Sequence, residues 1–197
     1  MKLSGVLPFA RELLQKAVSA GDVVIDGTAG NGHDTLFLAQ LVGEHGTVYS
    51  FDIQQQAIES TGRRLSEKEA EHQVRLIHDG HEKISQHLSS EHYGKVAGSV
   101  FNLGYLPGSD KTVVTTPETT ISAVEQVTEH LKPEGILLLV VYHGHPEGQV
   151  ERDTLLPFVR SLPQEEFHVL EYRFTNQKNN PPFIIAVEKR KKKSQGA

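Results

Sequence analysis

The stretch VVIDGTAGNGHDTLFLA, Val23–Ala39, decides how the rest of the chain is read. A short apolar run ends in Asp26. A turn with Gly27, Gly30 and Gly32 follows, and His33 and Asp34 open a segment with helical spacing. A turn needs one or two glycines; three, flanked by acids, indicate a backbone that a ligand approaches closely. The order is G-x-x-G-x-G, whereas dinucleotide folds carry G-x-G-x-x-G. An acid at the helix start would also repel a pyrophosphate, because that end of a helix attracts anions. The turn suits a ligand that is poor in phosphate.

Outward from this turn, strand-like and helix-like runs alternate. Leu7–Ala20, Asp34–Val42, Gln54–Ala70, His81–Ser89, Pro117–Leu131 and Gly148–Arg160 have helical spacing, with Pro117 suited to a first turn. Val23–Asp26, Thr47–Asp52, Val74–Asp79, Val96–Tyr105 and Gly135–Gly144 are strand-like. Phe167–Phe174 and Phe183–Arg190 are joined by TNQKNNPP, too short a link for a parallel crossover. The pattern predicts an α/β fold: a doubly wound, mostly parallel, seven-stranded Rossmann-like sheet with a C-terminal antiparallel hairpin. One domain spans residues 1–197, and 190–197 form a basic tail.

The chain has 197 residues and no cysteine, which removes thiolate nucleophiles, cysteine-ligated zinc and iron–sulfur clusters. The N-terminus lacks the unbroken apolar core of a signal peptide, and the run ILLLVVY, Ile136–Tyr142, is too short to span a bilayer. A cytoplasmic protein with no membrane partner is expected. The formal net charge of −5 runs against the basic balance usual for nucleic-acid binders. The run EKRKKK, Glu188–Lys193, is a local exception and offers either a solvated tail or a phosphate-attracting arm.

In an open α/β sheet the ligand sits beyond the carboxyl ends of the strands, beside the first. Asp26, Asp52 and Asp79 end the first three strand-like runs. Asp52 can accept from ribose hydroxyls, Asp79 from an adenine amino group, and Asp26 can meet an ammonium group through water or backbone. A ligand with an adenosine and a cation but no phosphate answers that description, and S-adenosylmethionine is one. Taken singly, each acid could instead be a helix N-cap. After the fourth strand comes NLGYLPGSDK, Asn102–Lys111. It looks like a variant of the Asn-Pro-Pro-Tyr loop of amino-group methyltransferases, in which carbonyls accept from the target amine and an aromatic packs on the base. A proline-stopped turn with a buried tyrosine is the alternative. Without a thiolate, direct transfer to nitrogen is favoured over methylation at pyrimidine C5. After the fifth strand, YHGHPEGQVE, Tyr142–Glu151, and NQKNNPP, Asn176–Pro182, complete the rim. His143 and His145 read as polar rim residues, and no metal site is assigned.

Together DGTAGNGHDTLFLA, FDIQ, HDGHE, FNLGYLPGSDK, VYHGHPEG and NNPP resemble the MnmM (YtqB-like) family of class I S-adenosylmethionine-dependent tRNA methyltransferases, from about Leu7 to Lys189. The resemblance implies methylation of the exocyclic amine of 5-aminomethyl-2-thiouridine at the tRNA wobble position, giving the 5-methylaminomethyl form. It implies a cofactor site drawn from Asp26, Thr28, Gly30, Asn31, Gly32, Asp34, Asp52, Gln54, Asp79, His81 and Asn102. Asn102, Tyr105, Tyr142 and His145 would face the target nucleoside, with His145 or His81 as base. The resemblance leads one to expect alanine at position 27 in many relatives, and Gly27 is expected to do little beyond loosening the turn. RNA contacts are expected from Arg63, Arg64, Arg152, Arg173, Lys178 and the basic tail; a homodimer is compatible with the chain. Other readings remain: an N-methyltransferase of a small molecule or of rRNA, a non-catalytic sensor of the cofactor, and, disfavoured by the glycine order, a dehydrogenase.

Overall fold

The computed structural model describes residues 2–104 and 115–191. The described residues form seven strands and six helices. In chain order these are α1 (Val6–Ala17), β1 (Val23–Asp26), α2 (His33–Val42), β2 (Thr47–Asp52), α3 (Gln55–Ser66) and β3 (Val74–His78). Then come α4 (Ile84–His87), β4 (Val96–Leu103), α5 (Pro117–His130), β5 (Leu131–Val141), α6 (Pro146–Arg160), β6 (Phe167–Tyr172) and β7 (Phe183–Lys189).

The strands make one sheet in the order β3-β2-β1-β4-β5-β7-β6. The first five are parallel, and β7 runs antiparallel to both β5 and β6. This is the predicted doubly wound sheet with its terminal hairpin. The order reverses at β1, whose neighbours are β2 and β4, so the crevice opens beyond the ends of β1 and β4.

Both faces are covered, which is why β1 is buried at every position and β4 at all but one. On one face Val24, Val48, Val100, Leu138 and Ile184 meet Ala10 and Leu14 of α1, Leu38 and Val42 of α2, and Leu65 of α3. On the other, Ile25, Phe51, Phe101, Leu139 and Ile185 meet Ile84, Val124, Val127 and Leu155 of α4, α5 and α6. Strand side chains alternate between faces. Asp26 and Asn102 therefore fall on the α1/α2 side with Val24 and Val100, and Phe101 falls on the α5/α6 side.

The structure differs from the predicted elements at β5 and at His81–Ser89. β5 starts at Leu131, directly after α5, where the sequence predicts Gly135; Val96 pairs with Leu131, and the register shifts before Gly98 meets Ile136. The segment His81–Ser89 is a 3-10 turn over His81–Lys83 followed by the single helical turn of α4. Of the basic run at 190–197, only Arg190 and Lys191 lie within the described residues. The Arg190 N–H donates to Glu166 O at 2.8 Å, its Nη1 donates to Gln164 O at 2.6 Å, and Lys191 Nζ pairs with Glu134 at 2.6 Å. Because Ile136, where β5 resumes parallel pairing, faces Glu188, this end of β7 lies at the edge of the sheet opposite the crevice. No described helix is long and apolar enough to cross a membrane.

Candidate active site

The glycine turn is laced to both neighbouring strands. Gly27 N–H donates to Val100 O at 2.9 Å, and Ala29 N–H donates to Phe51 O at 2.8 Å. Gly30 and Gly32 have φ of +54° and +76°, the left-handed region that glycine adopts at little cost. A Cβ on Gly32 would also lie 2.9 Å from Thr61 Cα. Gly27 corrects an expectation. A Cβ there would run into the ring of Phe101, which is wholly buried, so glycine at this position makes room for that ring.

Beneath the turn, Asp26 is wholly buried. Its oxygens accept from Thr28 N at 3.1 Å and from Thr35 Oγ1 at 2.6 Å. Burial, with a contribution from Asp34, pushes its pKa up to about 7. Its influence on a ligand passes through the backbone above it. Thr28 ties two sides of the crevice together, since its Oγ1 also accepts from Asn102 N at 2.8 Å.

On the β2 and β3 side, Asp52 accepts from Gly30 N and from Gln54 N, both at 2.9 Å. A carboxylate has further lone pairs, so Asp52 retains acceptor capacity at the rim. Ile53, next to it, is 57% exposed and offers apolar surface that sequence reasoning did not single out. Asn31 is half-buried and held by its backbone, whose carbonyl accepts from Arg64 Nε at 2.6 Å. Asp79 accepts from Lys83 Nζ at 2.6 Å, Gly80 N at 2.9 Å and His87 Nε2 at 3.0 Å. The Lys83 and His87 bonds hold its carboxyl well below the usual range; the i,i+4 spacing to Lys83 is a signal the sequence reading did not use.

His81 is buried, and its Nδ1 lies 3.0 Å from Gly27 O. A carbonyl only accepts, so Nδ1 carries the proton and Nε2 is an acceptor. That Nε2 is buried without a hydrogen-bond partner among the described residues. Burial lowers the His81 pKa and keeps the ring neutral. A buried acceptor at the edge of a glycine turn is the feature expected where a ligand supplies the missing donor. With Asp52 and the open turn, this set of acceptors fits the hydroxyl and amino donors of an adenosyl ligand.

On the β4 and β5 side, Asn102, Gly104, Tyr142 and His145 come together. A Cβ on Gly104 would lie 3.4 Å from Tyr142 Cβ and 3.8 Å from His145 Cε1. His145 is the N-cap residue of α6, with Pro146 next. Burial and Asp34 both raise the Tyr142 pKa, keeping the phenol neutral. Tyr105 lies outside the described residues. The segment that contains it leaves Gly104 and returns at Thr115, whose N–H donates to Gly104 O at 3.1 Å. Glu151, which the sequence reading missed, anchors that return. It is buried and accepts from Thr115 Oγ1 at 2.7 Å and Thr120 Oγ1 at 2.6 Å.

The β6–β7 connection borders the same rim because Phe183 pairs with Val141. His143 Nε2 donates to Pro181 O at 3.0 Å and its Nδ1 accepts from Arg152 Nη1 at 3.0 Å; burial and Arg152 keep this ring neutral too. Of the residues expected to contact RNA, Arg152, Arg173 and Lys178 lie on this side. Arg173 pairs with Glu171 at 3.1 Å, and Arg64 is spent on the glycine turn. No group of three metal-ligating side chains occurs among the described residues.

A model of the family described as "Putative rRNA methylase" matches residues 48–188. The chain belongs to this family. Among its relatives is the "tRNA (mnm(5)s(2)U34)-methyltransferase, chloroplastic" of Arabidopsis thaliana, 35% identical over 91% of this chain and 68% of the plant protein. A "putative rRNA-methylase" from Clostridium thermocellum is 39% identical and superposes with a TM-score of 0.92, covering 96% of this chain and all of the other. A "putative methyltransferase" from Streptococcus mutans, solved in complex with SAH, is 36% identical with a TM-score of 0.85, covering 95% and 99% of the two chains. The rRNA methylase family membership thus agrees with the resemblance carried by the rim motifs.

Proposed function

We propose that this methyltransferase uses S-adenosylmethionine to methylate the exocyclic amine of 5-aminomethyl-2-thiouridine at the wobble position of tRNA. The product is 5-methylaminomethyl-2-thiouridine. The observation that carries the reading is Asn102 at the β4 end, its amide held by Asp34 beside Tyr142 and His145. The substrate in the name of the Arabidopsis relative supports it.

S-adenosylmethionine supplies an electrophilic methyl group on a sulfonium. The residues that would hold it are the turn Thr28–Gly32, Asp52, Gln54, His81 and Asp79. Asp52 suits the ribose, and Ile53 gives apolar surface for a base. Asp79 reaches an amino group only in competition with Lys83 and His87.

The chain's own contribution to chemistry concerns the amine. If its pKa resembles that of lysine, the free base is scarce at neutral pH by about three units, a cost of about 4 kcal/mol. Carbonyl acceptors such as Asn102 Oδ1 orient a neutral amine, and a fixed orientation is worth a large part of a displacement barrier. His145, beside Tyr142, is the candidate acceptor for the amine proton. His81 is less suited, with its ring packed on Phe101 at 5.4 Å and bound to Gly27 O.

The test uses bulk tRNA from cells unable to add this modification's final methyl group. The tRNA is incubated with protein and S-adenosylmethionine, digested, and its nucleosides are identified by mass. Conversion of 5-aminomethyl-2-thiouridine to its monomethylated form is the expected result. Cofactor binding with no methylated tRNA nucleoside would refute the tRNA reading, and turnover of the free nucleoside as fast as tRNA would point to a small-molecule enzyme.

A further inference from the structure

Three elements meet above the end of β4. Arg11 Nη2 of α1 donates to Asp34 Oδ1 of α2 at 3.2 Å, and Asn102 Nδ2 of β4 donates to Asp34 Oδ2 at 2.9 Å. The Arg11 guanidinium lies 5.1 Å over the Phe37 ring, which limits where it can swing. The Asn102 backbone is fixed separately by Thr28.

An amide has a donor end and an acceptor end, whereas an ionised carboxylate only accepts. Contact with Asp34 therefore decides which end of Asn102 points where: the nitrogen faces α2, and Oδ1 faces away. We propose that Arg11 and Asp34 are positioning residues that lock the Asn102 amide with its oxygen presented to the substrate amine. The inference rests on the amine-methylating reading above and assigns Asp34 to the substrate side of the crevice. A purely structural purpose explains the arrangement poorly. The Arg11 and Asp34 side chains are 46% and 21% exposed, and exposed ion pairs add little stability.

The experiment has a substrate-free arm and a kinetic arm, both on the full chain. In the first, the side-chain amide signal of Asn102 is followed by 15N NMR and assigned by its loss in Asn102→Ala. Asp34→Asn and Arg11→Ala should shift that signal and speed exchange of its protons. In the second, Asp34→Asn should lower kcat by roughly ten- to a hundredfold, the range for losing a hydrogen bond to a charged group. Arg11→Ala should lower kcat about two- to fivefold, Arg11→Lys should recover most of that, and S-adenosylmethionine affinity should hold within about twofold. In an Asn102→Ala background, Asp34→Asn should cost less than about twofold more, because residues acting through one another are not additive. An unmoved amide signal, an equal kcat loss in both backgrounds, or a loss confined to cofactor affinity would each overturn the assignment. Absence of methyl transfer by the unaltered protein would instead refute the amine reading, and the NMR arm would still decide the amide lock.

Discussion

Replacing Asp26 with asparagine should remove a pH-dependent burden on stability and leave the turn intact. The carboxyl is wholly buried, and its pKa rises from 3.8 to about 7. Between those values the folded state binds a proton that the unfolded state has released. Stability from this group is thus fully present below pH 4 and is lost as pH rises towards 7. Three pKa units at 1.36 kcal/mol each come to about 4 kcal/mol, of which roughly 2.5 kcal/mol falls between pH 5 and 8. Asparagine keeps the acceptor for Thr28 N, and its Nδ2 can donate to Thr35 Oγ1. That hydroxyl then donates to Ser50 Oγ, 2.9 Å away, where either oxygen can be the donor. The network reverses direction through Thr35 and Ser50, and the second Nδ2 hydrogen and the Ser50 hydroxyl hydrogen are left to find acceptors, a cost that does not vary with pH. The assay is urea unfolding of both proteins across pH 5–8. Buried His81 and partly buried His143 titrate with the opposite sign, because their pKa values are lowered. Both proteins contain them, so subtracting one curve from the other isolates Asp26. At a slope of about 2 kcal/mol per molar urea, the gap between midpoints should widen by about 1 M from pH 5 to 8. Parallel curves, or a variant weaker than the parent at pH 8, would refute the reasoning.

Other substitutions follow from the same geometry. Gly27→Ala should destabilise the fold by about 1–3 kcal/mol as the new methyl forces Phe101 from its place, read as a fall in thermal midpoint. Glu151→Ala leaves the Thr115 and Thr120 hydroxyls without their acceptor and should cost about 2 kcal/mol, with Glu151→Gln recovering part of it in the same melt. His145→Ala should lower kcat on tRNA roughly a hundredfold and flatten its pH profile; unchanged turnover from pH 6 to 9 would exclude it as proton acceptor. Deleting residues 192–197 should leave KM for tRNA within about twofold, since Lys191 sits at the edge of the sheet opposite the crevice. A steep loss, with a shallower salt dependence, would put the tail on the RNA.

The sheet was legible because its strands announce themselves by short apolar runs and its turns by glycine and proline. The strand-end residues Asp26, Asp52, Asp79 and Asn102 follow directly once those runs are placed. What stayed hidden depends on pairings that no local spacing encodes. Arg11 looks like one more polar residue on an amphipathic helix until α1 packs beside α2 and brings it to Asp34. Glu151 looks like a solvent-facing acid until α6 turns it towards two threonines on the neighbouring helix and its approach. Gly27 misled in the other direction: the clash that requires it comes from Phe101, far along the chain.

The way α1 is docked carries a consequence for how the enzyme is made. Its Ala10 and Leu14 pack with Ile184 and Ala186 of β7, Phe9 stacks on Tyr172 at 4.0 Å, and the Tyr172 hydroxyl bonds Ser4 O, 168 residues earlier in the chain. At 5–20 residues per second, a ribosome needs roughly 10–30 s to supply those partners. Until then the first helix has only the part of its docking surface that the first five strands and α2 supply. A chain truncated before β6 can form the glycine turn yet lacks the contacts by which the C-terminal hairpin closes over α1.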